Sequence, residues 1–388
     1  MKKITFLKDF SISALTAGFV AVLVSFAGPS VIVFQAAQVA DLSQAQLSSW
    51  IWAISIASGL SCLLLSIKYK VPVICAWSTP GAALLVTSLM NYGYNDAIGA
   101  FLVSSFLIFL LGVTGIFAKA MDLVPKEISA ALLAGILLNF GLDVFHAAQN
   151  SFISATIMIG VYYIAKRFFL RYAVLLSLVA GMIFSYSLNQ FYFEDVVLSL
   201  ARPMLTMPGF SIEAIIGLGL PLFVVTMVSQ NVPGVSVMRA ASYKAPISPI
   251  ISTTGVMSLL FASFGSHAIN LAAITAAICT NEEAHIDPAR RYIAGIFCGL
   301  FYIFVGIFGA TLVSLFVAMP KDVVIVIAGL ALMGSLMSSL IQSLESPQNR
   351  EAGLMTFLVT ASGFTLFGIG SAFWGLITGI VVFLFNKK

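Results

Sequence analysis

Residues Ser25–Ala37 read SFAGPSVIVFQAA, and residues Ser229–Ala241 read SQNVPGVSVMRAA. In register, Ser25/Ser229, Pro29/Pro233, Val31/Val235, Val33/Val237, Ala36/Ala240 and Ala37/Ala241 are identical. Each copy closes a long apolar run interrupted by Gly and Pro. Such residues deep in a membrane helix free backbone groups, which is tolerated only where protein or a cavity satisfies them. A duplicated apolar chain with interrupted helices is the pattern of a secondary transporter.

Further pairs keep the same order. Pro125-Lys126-Glu127 with Ala134-Gly135 returns as Pro320-Lys321-Asp322 with Ala328-Gly329. Gly99, Gly112 and Gly115 return as Gly295, Gly306 and Gly309. One such pair among small apolar residues is ordinary coincidence; three in one order point to two related halves.

Composition agrees. Of 388 residues, 60% are hydrophobic and 9% charged, against about 25% charged in a soluble domain, and the mean hydropathy is +1.06. The expected solvent is a lipid bilayer. The apolar stretch after Lys2, Lys3 and Lys8 runs on towards Val33, too long for a removable leader. Cys62, Cys75, Cys279 and Cys298 lie inside apolar runs without CxxC spacing and read as small core residues. The chain shows no phosphate-binding glycine loop, metal-ligand cluster or nucleophile–base pair. The expectation is a protein that is no enzyme, uses no cofactor or metal and binds no nucleic acid.

Apolar runs fall at about 11–34, 45–66, 72–90, 95–118, 126–142, 149–165, 172–192, 211–232, 247–263, 267–281, 291–315, 321–342, 351–367 and 369–386. Several are shorter than the roughly 20 residues of a full crossing. With the N-terminus cytoplasmic, seventeen basic residues fall inside: Lys2, Lys3, Lys8, Lys68, Lys70, Lys119, Lys126, Lys166, Arg167, Arg171, Arg239, Lys244, Arg290, Arg291, Arg350, Lys387 and Lys388. Only Arg202 and Lys321 fall outside. This positive-inside bias supports fourteen spans with both termini cytoplasmic. Seven spans per half force the second half to enter from the opposite side. The expected fold is therefore an all-α polytopic membrane protein with two inverted repeats of seven.

Two segments do not read as simple helices. In Val71–Gly81 (VPVICAWSTPG), Val73–Ala76 reads as extended, Ser78 or Thr79 as an N-cap and Pro80 as a first-turn residue. In Phe264–Asn270 (FGSHAIN), Asn270 or Ser266 is the candidate cap of a following Ala/Thr helix. These are the third span of each half, and the inverted repeat predicts that their half-helices meet head to head near the midplane. Unpaired N–H groups and positive dipole ends there suit a carboxylate. A plain helix cap with nothing bound accounts for Ser78, Thr79, Pro80 and Gly81 equally simply; the interruption in both halves favours a site.

Gln230 and Asn231 precede Pro233-Gly234, where the helix is expected to break, and two amides at membrane depth need partners. They line a cavity or glue helices together. His267 is the one histidine within a span, either a neutral core residue or a proton carrier. Glu127 and Glu213 sit at span ends, where helix N-termini accommodate them. Arg239 is placed to snorkel to the interface. Trp50, Trp52 and Trp374, near span ends, are expected to anchor at the interface.

The stretches SQNVPGVSVMRAA (229–241), AWSTPGAALL (76–85) and FGSHAINLAAITAAICTNEEAHIDPARRYIAG (264–295) resemble the benzoate–proton symporter family of bacterial inner membranes, over essentially the whole chain. That family is similar, distantly, to the nucleobase–cation symporters with their 7+7 inverted-repeat fold. The resemblance implies a core domain of 1–121 and 207–318 and a gate domain of 122–206 and 319–388. It implies a short strand and half-helix in spans 3 and 10, and a pocket of Ser78, Thr79, Pro80, Gly81, Gln230, Asn231, His267 and Asn270. Where the nucleobase relatives carry acidic residues on spans 8 and 10, this chain has Gln230 and Asn270, which suits an anionic substrate and leaves His267 as candidate proton carrier. The implied function is proton-coupled import of benzoate or a related aromatic carboxylate by alternating access, in a protein that forms a homodimer. The alternatives are a symporter of nucleobases or neutral heterocycles, and an uncoupled channel or facilitator for small anions.

Overall fold

The computed structural model describes residues 9–117, 125–169, 172–192, 194, 196–282, 284–367 and 369–386. Of the basic residues counted above, Lys2, Lys3, Lys8, Lys119, Arg171, Lys387 and Lys388 lie outside these described residues.

Ser11 caps the first helix, accepting a hydrogen bond from the Ala14 N–H at 3.1 Å, and α1 runs Ile12–Ala27. Gly28 interrupts it and Pro29 starts α2, Pro29–Val39. The opening repeat therefore does contain a broken helix, extending past the expected end at residue 34. A Ser43/Gln46 capping box opens α3, Gln44–Tyr69, which ends on Lys70 in the left-handed conformation. The chain then forms β1, Cys75–Trp77, and α4, Thr79–Ser88. Helices α5, Tyr94–Thr114, α6, Lys126–Asn150, α7, Phe152–Phe168, and α8, Ala173–Ser187, follow.

Helix α9, Ile212–Arg239, is continuous. This corrects the expected break at Pro233-Gly234. Two π-helical segments, Ile215–Gly219 and Met227–Asn231, each precede a proline by two residues, Pro221 and Pro233. A proline lacks the N–H that would bond four residues back. The ladder widens ahead of it, with Leu220 N–H reaching Ile215 O and Val232 N–H reaching Met227 O. The bulges re-aim side chains without severing the helix.

The second half continues with α10, Ile247–Ala262, β2, Ile269–Leu271, and α11, Ile274–Thr280. It closes with α12, Tyr292–Ile307, α13, Gly309–Ala318, α14, Lys321–Ser343, α15, Arg350–Ala361, and α16, Ser371–Asn386. Among the described residues, seven helices are long and apolar enough to cross a membrane: the α1–α2 run, α3, α5, α6, α9, the run ending in α12, and α14. Helices α8, α10, α13 and α16 are apolar but shorter.

Helix α5 packs along α10, and α12 along α3 and α1. A second group pairs α14 with α6, α15 with α16 and α6, and α8 with α7. At the ends of the second group Lys126 pairs with Glu345 at 2.7 Å, and the Ser151 hydroxyl donates to the Asp322 carboxylate. Glu127, buried in the first turn of α6, accepts a hydrogen bond from Asn349 Nδ2 at 3.1 Å. The strand ribbon packs against α3, α10 and the second π segment of α9.

Candidate functional site

The two three-residue strands pair antiparallel, with Cys75 opposite Leu271, Ala76 opposite Asn270 and Trp77 opposite Ile269. Ser78 N–H to Ala268 O at 3.0 Å and Ala272 N–H to Ile74 O at 2.9 Å extend the ladder at both ends. So small a ribbon is not stable alone, and in an apolar interior its outer edges need partners. Side chains supply them. On β1 the Val73 N–H donates to Ser66 Oγ and the Cys75 N–H to Cys62 Sγ, both at 3.1 Å. On β2 the Ile269 N–H donates to Ser258 Oγ at 2.7 Å, and the Leu271 N–H to Asn231 Oδ1 at 2.9 Å.

Helix α4 leaves one end of this ribbon. Ser78, fully buried, is the cap: its Oγ accepts from the Gly81 N–H at 3.1 Å. The Thr226 hydroxyl of α9 donates to the same oxygen at 3.0 Å. Pro80 fills the first turn. Gly81 allows α9 to approach, since a Cβ there would lie 2.6 Å from Leu222 Cδ1. Gly234 does the same on β2, where a Cβ would lie 2.5 Å from Leu271 Cβ. With Gly81 bonded to Ser78 and Pro80 lacking an N–H, the half-exposed Thr79 keeps both its N–H and its hydroxyl without a partner among the described residues. That pair of donors, at a helix N-terminus, suits a carboxylate.

Helix α11 leaves the opposite end of the ribbon, as antiparallel pairing requires. Its N-cap is Ala273, with no side-chain hydrogen bond, so neither Asn270 nor Ser266 caps it. Asn270 instead lies in β2, fully buried, with Nδ2 donating to Leu271 O at 2.8 Å and Oδ1 unpartnered. Trp77 Nε1 is a second buried polar atom of the ribbon without a partner. Buried polar groups are rarely left so; the hydroxyls of Ser58, Ser104, Ser105 and Ser129 in the helices share this state.

His267 stands below Ser78. Its Nε2 lies 2.9 Å from Ser78 O and its Nδ1 accepts from Trp50 Nε1 at 3.2 Å. These bonds assign the neutral tautomer with the proton on Nε2. Trp50 is therefore a buried partner of the histidine, not an interfacial anchor as its position near a span end suggested. The two amides divide. Asn231, fully buried, commits its oxygen to Leu271 and its Nδ2 to Met227 Sδ at 3.2 Å. Gln230 is half-buried with no hydrogen-bond partner among the described residues. Its counterpart in the opening repeat, Phe26, packs edge-on against Trp77 with centroids 5.0 Å apart, and Tyr302 completes the cluster. The side chain of Ala27 lies outside the described residues. Among the described residues no group of three His, Cys, Asp or Glu converges as a metal site.

Sequence reasoning missed Thr226, Trp50, Ser66, Cys62 and Ser258, whose partners lie far away in the chain or on the other side of a turn. A hydroxyl or indole buried in an apolar run was the available signal.

The family model described as benzoate membrane transport protein matches residues 8–385. The chain belongs to this family. Inner membrane protein YdcO of Escherichia coli (strain K12) is 45% identical over 370 residues, covering 95% of each chain. The benzoate membrane transport protein of Acinetobacter baylyi (strain ATCC 33305 / BD413 / ADP1) is 41% identical over 384 residues, covering 99% of this chain and 98% of the relative. Members of such a family are transporters and not enzymes. Two solved structures share the fold at 12% identity. The transmembrane domain of a cyanobacterium bicarbonate transporter, BicA, gives a TM-score of 0.65 and covers 95% of this chain and 97% of its own. The overall structure of SLC26A9 gives 0.66, covering 99% of this chain and 67% of its own.

Proposed function

We propose that this family member is a proton-coupled importer of benzoate or a related aromatic monocarboxylate in the bacterial inner membrane. The observation that carries the reading is the partnerless N–H and hydroxyl of Thr79 at the capped start of α4, in a chain of the benzoate transport family. The carboxylate is held at Thr79, with Ser78, Pro80 and Gly81 shaping the helix end and the Gln230 amide beside it. Asn231 and Asn270 hold the ribbon, and the aromatic ring rests on apolar residues between the two helix groups. The name of the Escherichia coli relative supports the inner membrane as location.

In this proposal the elements form fourteen spans, the α1–α2, β1–α4, β2–α11 and α12–α13 runs each counting as one. Two inverted repeats follow, with both termini cytoplasmic. The reciprocal packing of α5 on α10 and α12 on α3 supports them, as each pair joins a second span to a fourth span of the other half. Segments 1–121 and 207–318 form the core, and 122–206 and 319–388 the gate, whose relative motion alternates access. Two gates pair in a homodimer.

His267 is the proton site of this scheme. A second ring proton on Nδ1 would face the Trp50 N–H, donor against donor, so protonation breaks that bond. A bound carboxylate nearby supplies the countercharge, and by linkage each ligand favours the other. Radiolabelled benzoate uptake into proteoliposomes with and without an imposed proton gradient tests the coupling. Accumulation that ignores the gradient sinks it, and competition by uracil or xanthine would point to a nucleobase symporter. An uncoupled anion facilitator is the second reading, favoured by the engagement of both His267 nitrogens.

A further inference from the structure

A cavity of about 370 Å³ opens beside α1, lined by Ile12, Ser13, Thr16 and Val20, by Tyr172 just before α8 and by Ile278 of α11. That volume lies in the range of small-molecule sites, about 300–1,000 Å³. Its walls come from both helix groups. The lining positions of α1 recur at helical spacing on one face. The opposite face is packed, since a Cβ on Gly18 would meet the α12 backbone at 2.7 Å. Followed along the chain, the cavity face reaches half-buried Leu23 and Val24 and then the break at Gly28. On α11, Ile278 is one turn from exposed Ile274, the first residue of that helix. Both walls thus lead from the cavity towards the ribbon.

Two hydroxyls, those of Ser13 and Thr16, stand exposed on this face with no hydrogen-bond partner among the described residues. Around Asp9, immediately before α1, the Tyr292 hydroxyl and Arg290 gather at 2.7 and 3.7 Å, and Lys70 stacks on the Tyr292 ring at 3.9 Å. Arg290 also lies 3.5 Å from Asp287, so two basic and two acidic groups meet here. Near the far end of the α1–α2 run, Phe34 of α2 stacks on Phe316 at 4.1 Å and α2 packs on α14.

We infer that this crevice is the cytoplasmic vestibule of the transporter, through which the aromatic carboxylate passes between the α4 site and the cell interior, with Thr16 and Ser13 as its polar contacts. The inference rests on the proposed function. All four native cysteines are buried, so an introduced thiol can be read against a quiet background. Thr16→Cys in inside-out vesicles should react with a membrane-impermeant, negatively charged methanethiosulfonate, and modification should block benzoate uptake. Benzoate at ten times its Kd should slow the labelling about tenfold, the occupancy ratio expected from mass action. Ile183→Cys, on exposed α8 surface, should show neither effect, and Ser13→Cys serves if Thr16→Cys does not assemble. Reaction only with a lipid-soluble maleimide would make the crevice a lateral groove for an acyl chain and overturn the inference. So would labelling that benzoate does not slow in a wild-type-active protein. If wild-type protein neither binds nor moves benzoate, the functional reading has failed instead.

Discussion

The two half-helices begin alike, each after a three-residue strand, and are secured at opposite ends. Helix α4 is fixed at its start by Ser78, Pro80 and the Thr226 hydroxyl. Helix α11 has a bare start at Ala273 and is fixed at its finish. There the buried Arg291 guanidinium donates to Thr280 O at 2.7 Å, His285 O at 2.6 Å and Ile286 O at 3.3 Å. The start of α4 is preorganised by its caps, and that of α11 has no side-chain cap. In the proposed function the rigid element recognises the carboxylate and the uncapped one lets the site open.

The largest blow to this contrast is Gly81→Val. A branched side chain against Leu222 overpacks the preorganised end, at about 1–3 kcal/mol. Expressed wholly in the binding geometry, that lowers benzoate affinity by about 5- to 150-fold, read as uptake at limiting substrate. Near-normal uptake would mean that the carboxylate sits elsewhere. Next is Arg291→Leu, which leaves the buried Thr280 carbonyl at the end of α11 unpaired and costs about 1–3 kcal/mol. The melting temperature in detergent should drop, and Arg291→Lys should recover part of it.

Asn231→Ala strands the buried Leu271 N–H, at about 1–3 kcal/mol, whereas Gln230→Ala should weaken benzoate binding and leave melting unchanged. Equal effects on melting would erase the division of labour between the two amides. Ser78→Ala removes a cap worth about 1 kcal/mol, equivalent to about fivefold in affinity, measurable by titrating benzoate-induced thermal stabilisation. The smallest change belongs to Thr275→Ala on the bare helix, within about 0.5 kcal/mol. A larger loss of benzoate affinity would show that α11 takes part in recognition as fully as α4.

What was legible in the sequence was local. Apolar run length, the Ser78-x-Pro-Gly cap and the extended Val73–Ala76 segment are decided within a few residues, and the structure has them close to where they were read. The proline signal at 233 was real but its outcome was misjudged, because a π segment absorbs a missing N–H without breaking the helix. Partners across the fold were invisible. Trp50 and His267 are 217 residues apart, and Asn231 meets Leu271 across a turn of the fold 40 residues long. Nothing in the spacing says which buried amide bonds to backbone and which stays free.

The ribbon also carries a consequence for how the protein is made. His267 and Ser78 join elements 189 residues apart. At about 5–20 residues per second of synthesis, β1 therefore waits about 10 to 40 s in the nascent chain before its partner strand exists. During that interval its inner edge has unpaired backbone groups in a setting without water, because Cys62 and Ser66 of α3 cover only its outer edge. The first half should be the stage of biogenesis most exposed to quality-control proteolysis, and its survival should depend on residues that never touch the transported molecule.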